Sequence, residues 1–161
     1  MIQRLKSNNA KKLLQGIAKQ FGCEEKSFLS AFKDFAFFQK GDKIHVAIQE
    51  PILQLKDRFK INSAGLYFCK EEPEGIRLSM EGSWIVSPHA KKNILHLSKE
   101  EAIKWMAGKD INGDFSDFDR YVILDYSGYV LGCGKVTKKA DVVKNFMPKE
   151  RRINSDMPFP D

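Results

Sequence analysis

The chain has 161 residues, enough to bury a sizeable core as one large domain or two small ones. Apolar residues make up 42% and charged residues 30%, the balance of an ordinary soluble globular protein, and the longest apolar runs fall well short of the ~20 residues of a membrane span. A net charge of +6 favours a polyanionic partner, with nucleic acid ahead of membrane.

The first stretch, MIQRLKSNNAKKLLQG, has no apolar run followed by a small-residue cleavage site and does not read as a secretory signal. Leu13, Leu14, Ile17, Ala18 and Phe21 recur at helical spacing and predict an amphipathic helix over residues 8–21. Ser7 or Asn8 can cap it and Gly22 can end it. Its other face carries Lys11, Lys12 and Lys19, which ordinary solvation of a helix surface explains. Ser27 can cap a second short helix running to about Asp34. The period then shortens to two. FAFFQ and KIHVAIQ flank Lys40-Gly41-Asp42 and predict a hairpin. Pro51 suits the first turn of a third helix, to about Phe59. GLYFCK and GIRLSM flank Glu72-Pro73-Glu74-Gly75 and predict a second hairpin.

Past Gly82 the stretch SWIVSP reads as a strand. Residues 98–107 read as a helix with a capping box between Ser98 and Glu101 and a buried stripe of Ala102, Ile103 and Met106. An acidic loop, NGDFSDFD, leads to the strands RYVILDY and YVLGCGKV, joined at Ser127-Gly128. DVVKNF makes a last short strand, PKERRI follows it, and SDMPFPD reads as a loose tail. The expected fold class is therefore an α+β first domain, residues 1–80, followed by a small, mostly antiparallel β-domain with one helix, residues 81–161.

Two glycines two apart interrupt YVLGCGKV. Alternation puts Gly132 and Gly134 on one face, with Val130 and Val136. A tight bend or a closely packed neighbour would explain them, and so would the approach of a ligand backbone; the first reading is the commoner meaning of glycine in a strand. Trp84, Trp105 and Phe146 could stack on bases, but their apolar surroundings make core or interface positions the better expectation.

Signs of catalysis are sparse. Cys23, Cys69 and Cys133 are odd in number and far apart, which favours a reducing, cytoplasmic setting over a disulfide framework. His45, His89 and His96 lack metal-ligand spacing, and Asp110, Asp114, Asp117 and Asp119 lack the spacing of a calcium loop. No Gly-rich phosphate loop opens a helix, so no cofactor is expected. Cys133 could serve as a nucleophile, but no base stands near it in the sequence. The expectation is a protein that is not an enzyme.

The positive charge points elsewhere. Lys135, Lys138, Lys139, Lys144, Lys149, Arg151 and Arg152 face only Asp141 and Glu150 across residues 132–152. Lysines offer point charges for phosphate, and arginines add a planar fork. Lys91 and Lys92, in HAKKN, extend this candidate RNA-binding set if their loop folds over the sheet.

The order GSWIVSPHAKKNILHL, SKEEAIKWMAGKDI, YVILDYSGYVLGCGKV resembles a PUA domain, the module named for pseudouridine synthase and archaeosine transglycosylase. The whole chain resembles small archaeal proteins with a pre-PUA and a PUA domain, related to the ribosome-biogenesis factor nuclear import protein seven. GKVTKKADVVKNFMPKERRI is similar to the tail of bacterial ribosomal RNA 5-methylcytosine methyltransferases. The resemblance implies a PUA-like pseudo-barrel that binds rRNA or tRNA, in ribosome biogenesis or RNA modification, with assembly or modification proteins as further partners and no membrane. It also leaves open an adaptor, or a subunit that presents RNA to a modifying enzyme in trans.

Overall fold

A computed structural model describes residues 1–49, 65–154, 156 and 158–160; the helix expected from Pro51 lies outside them. Both expected hairpins of the first half are present. Strands β2 (Phe35–Lys40) and β3 (Lys43–Ile48) turn at Gly41, whose φ of 62° suits glycine. Strands β4 (Leu66–Glu72) and β5 (Gly75–Leu78) turn at Pro73-Glu74. A further strand, β1 (Ile2–Arg4), pairs with β2, giving an antiparallel sheet ordered β1-β2-β3-β4-β5. Helix α1 (Ser7–Phe21) buries the five apolar residues expected of it against Phe28, Phe37, Ile44, Val46 and Phe68. Gly22, at φ 67°, closes it, but neither Ser7 nor Asn8 caps it; Lys6 holds that position without a side-chain bond. Helix α2 (Glu25–Ala31) starts earlier and ends earlier than expected. Ser27 does not cap it: the Glu24 carboxylate accepts the Ser27 N–H at 2.7 Å.

The stretch SWIVSP is not a strand. Helix α3 (Met80–Val86) runs through it and passes into a single 3-10 turn at Ser87–His89. The Ser79 hydroxyl accepts the Gly82 N–H at 2.9 Å, which starts the helix. Gly82, Ser83 and Val86 face inward, and a Cβ on Gly82 would run into the Phe68 carbonyl oxygen. Glycine there lets the helix lie directly on β4. Trp84 is turned outward and is 49% exposed, which leaves the interface half of the expectation and excludes the core half.

The strand of this region comes later, as β6 (Ile94–His96), which runs parallel to β8. Helix α4 (Lys99–Met106) has the expected Ser98–Glu101 capping box, although its fully buried side chains are Ala102 and Trp105, with Ile103 and Met106 only half-buried. Strands β7 (Ile111–Asn112), β8 (Tyr121–Tyr126), β9 (Tyr129–Val136) and β10 (Val142–Lys144) complete a second sheet, ordered β6-β8-β9-β10-β7. Ser127 and Gly128, both at positive φ, make the two-residue turn between β8 and β9. Two described residues of the expected loose tail are held: the Tyr126 hydroxyl donates to the Pro160 carbonyl at 2.8 Å, and Phe159 packs on the Tyr126 ring.

The β8–β9 hairpin is covered on both faces. Tyr121, Ile123 and Cys133 join the core of α1, α2 and the first sheet, whereas Val122, Leu124 and Val136 pack with Trp105, Ile111 and Val143. The glycine pair faces this second cluster. Trp105 is 1% exposed, and its Nε1 donates to the Leu131 carbonyl at 2.9 Å. A Cβ on Gly134 would collide with Val143 and come within 2.7 Å of the Trp105 ring. Gly134 thus gives room to an indole and a neighbouring strand, and Gly132, where a Cβ would make only ordinary contact at 3.8 Å, is favoured by its φ of 119°. Val130 does not share their face. Leu124 pairs with Gly132 and Asp125 with Val130, so Leu131 is an extra residue in a bulge and the alternation slips there. Val130 packs on the first cluster instead.

Overpacking at such a site costs about 1–3 kcal/mol. Gly134→Ala should therefore lower the unfolding free energy by that amount in urea titration. Gly128→Ala would meet no neighbour within 4 Å and strains only its own backbone.

Candidate nucleic-acid interface

Polar groups rim the seam where β5 meets β8 and β9. The Tyr121 hydroxyl donates a short hydrogen bond to the Glu72 carboxylate, and burial together with that bond pushes the phenol well above its ordinary range. Lys135 reaches Glu74 at 3.0 Å and Glu72 at 3.7 Å, and Arg120 reaches Glu74 at 2.9 Å. The hydrogen bond from Lys135 holds the Glu74 carboxyl below the usual carboxylate range. A second link lies nearby. Asn93, buried and at φ 57°, donates through Nδ2 to the Gln20 carbonyl and to the Asp119 carboxylate, and its own side-chain oxygen accepts the Asp119 N–H.

The nine cations of the sequence-derived set do not form one patch. Lys135 is half-buried in the seam network, and Lys144, its cross-strand neighbour, pairs with Asp110 at 3.2 Å. Arg151 pairs with Glu81. Arg152 donates from Nε to the Met147 carbonyl and lies over Gly108, where a Cβ would strike its side chain. Lys92 lies 3.9 Å from Asp119, and the backbone amides of Lys91 and Lys92 both donate to the Phe21 carbonyl at the end of α1. Lys138 and Lys139 are exposed in the turn between β9 and β10, and Lys149 is exposed in a 3-10 turn, Lys149–Arg151. None of these last three forms an ion pair with a described residue. The open charge therefore sits at the turns, and the strand cations serve the fold.

A cleft of about 460 Å³ opens between the two sheets, lined by His45, Tyr67, Arg77, Phe146 and Arg151 among others. Phe146 is 42% exposed rather than core, and the Arg77 guanidinium covers its ring at 4.0 Å. Partial burial and the nearby Lys40 and Lys43 lower the pKa of His45 and favour its neutral form. Three carboxylates near the acidic loop have structural partners: Asp110 accepts the Asn145 N–H, Asp114 the Ser116 N–H, and Asp119 the Asn93 amide. No group of three or more His, Cys, Asp or Glu side chains placed to hold a metal occurs among the described residues.

Residues 92–153 match a family model described as the methyltransferase RsmF PUA domain. Residues 92–153 are thus similar to a PUA domain. Two relatives are similar to the chain in sequence, both named ribosomal RNA small subunit methyltransferase F. That of Vibrio atlanticus is 26% identical over 57% of this chain and 19% of its own length. That of Aeromonas hydrophila is 28% identical over 60% of this chain and 20% of its own length. The chain spans about a fifth of the length of these curated relatives. In fold it is similar to a hypothetical protein of the archaeon Pyrococcus horikoshii, at a TM-score of 0.56 and 10% identity over 89% of this chain and 92% of that one.

Within the PUA-like domain, the one thiol is enclosed. Burial pushes Cys133 up to about 12, so it is a neutral thiol at neutral pH. Cys69, likewise buried, is raised further by the same cause. With iodoacetamide at about pH 8, where an open thiol is partly thiolate, half-buried Cys23 should be alkylated first. Cys133 and Cys69 should react only as fast as the protein opens. Rapid labelling of Cys133 in the native state would contradict the enclosure.

Proposed function

We propose that this chain is an RNA-binding protein that serves ribosomal RNA modification or ribosome assembly in a reducing cytoplasm, without a catalytic centre of its own. The observation that carries the reading is the PUA-like match at residues 92–153, with Lys138, Lys139 and Lys149 exposed there and forming no ion pair with a described residue. Phosphate contacts of this kind position a protein on structured RNA by charge and shape. Ribosomal RNA is preferred over transfer RNA because both sequence relatives are ribosomal RNA methyltransferases by name. The non-catalytic part of the reading is supported by the enclosure of Cys133.

A second reading, a protein adaptor for a modifying enzyme, is favoured by one surface. Trp84 and Tyr129 are 49% and 55% exposed, and the Trp84 Nε1 donates to the carbonyl of Val130, next to Tyr129. Exposed aromatics of this kind are common anchors of protein interfaces.

Filter binding of the purified chain to small-subunit ribosomal RNA and to bulk transfer RNA separates the two. Binding should be evident at ~50 mM salt and should fall steeply by ~200 mM as counterion release loses its drive. The triple variant Lys138→Glu, Lys139→Glu, Lys149→Glu should bind about tenfold more weakly or worse, equivalent to about 1.4 kcal/mol. Absence of binding at the lower salt would overturn the RNA reading in favour of the adaptor.

A further inference from the structure

A second group of open positive charges lies in the first half. Arg4 from β1, Lys6 at the start of α1, Lys11 on α1 and Lys33 after α2 line one groove of about 520 Å³. Its other walls include Leu29, Phe32 and Phe35, and no carboxylate lines it among the described residues. All four cations are exposed, and none forms an ion pair with a described residue. By contrast, Lys70, Arg77, Lys92, Arg120, Lys135, Lys144 and Arg151 each face a carboxylate. Four like charges gathered in a concavity repel one another and raise the local concentration of a polyanion.

We propose that this groove is a second RNA contact, taking the phosphodiester backbone of the same RNA that the PUA-like half holds. The inference rests on the RNA-binding reading above and adds a place to it. Helix α1 supplies Lys11 as part of a shaped site rather than as plain solvated surface, because β1 and the end of α2 bring Arg4 and Lys33 to the same opening. The half-buried ring of Phe35 gives the groove an apolar wall beside the cations. Strand β1 is the edge of the first sheet opposite β5, the strand that packs on β8 and β9. A structured RNA long enough to reach from that edge to the PUA-like turns would engage both sites, each raising the effective concentration at the other.

The test uses the full chain and three variants. The groove variant is Arg4→Gln, Lys6→Gln, Lys11→Gln, Lys33→Gln. A charge-matched control is Lys12→Gln, Lys19→Gln, Lys26→Gln, Lys104→Gln. The third is the turn variant described above. Circular dichroism melting checks that each is folded. Affinity for small-subunit ribosomal RNA is then measured across salt. The groove variant should reduce the slope of log affinity against log salt by about 2–3, since each single-strand phosphate contact contributes ~0.7; the control should leave the slope nearly unchanged. If the groove variant keeps the wild-type slope while the turn variant loses binding, the RNA reading stands and the groove is not part of it. Equal losses in groove and control variants would overturn the groove as a site, leaving only general charge. A groove variant that loses poly-glutamate binding but keeps RNA binding would assign the groove to an acidic protein and overturn the proposal. A wild-type chain that binds no RNA would remove the proposal together with the reading beneath it.

Discussion

The structure depends on a hairpin that is buried twice. One face of β8 and β9 completes the core of the first half through Tyr121, Ile123 and Cys133, and the other carries the Trp105 cluster. Near-continuous apolar strands are what burial on both faces requires, and β8 shows it in the run Tyr121, Val122, Ile123, Leu124, all buried. Such a sheet leaves little open face to a ligand, and only Leu131, Gly132 and Cys133 of β9 reach the cleft between the sheets among the described residues. Its chemistry with solvent is confined to turns, edges and the seam.

The bulge at Leu131 makes this compatible with two tryptophans. Indole N–H groups reach consecutive carbonyls of β9, Trp84 to Val130 and Trp105 to Leu131, each at 2.9 Å. Trp84 stays half-exposed, and Trp105 is sealed because Gly134 leaves it room. The same geometry governs charge. Lys135 comes off β9 into the seam and meets Glu72 and Glu74, whereas Lys138 and Lys139, past the strand end, form no ion pair with a described residue. Whether a cation holds the fold together or stays open for phosphate follows from where its strand stops.

Much of this was readable from residues. The hairpins at Gly41, at Pro73-Glu74 and at Ser127-Gly128 carry turn chemistry that local sequence dictates, and Ser98 with Glu101 is a local device too. Helix α3 was not legible, because Trp84-Ile85-Val86 is as apolar as a strand and what selects a helix is contact between Gly82 and the Phe68 carbonyl, 14 positions apart in sequence. Strands β1 and β6 have three residues each, too few to show a period. At the candidate site, the exposed turn lysines could be picked out by composition. The partners of Lys135 and Arg151, and the meeting of Arg4, Lys6, Lys11 and Lys33, are products of tertiary structure and leave no signal in spacing.

Taken together, the fold is an α+β body whose two halves share a core and whose open cations fall into two sets, one at the PUA-like turns and one in the groove beside β1. Hydrogen exchange of the full chain with and without small-subunit ribosomal RNA addresses both sets at once. Slower exchange on RNA addition is expected in residues 4–11, 32–35 and 137–151, with the β8–β9 core protected equally in both states. Protection confined to the surface around Trp84 and Tyr129, or no change anywhere, would contradict a body that holds RNA by those two sets of cations.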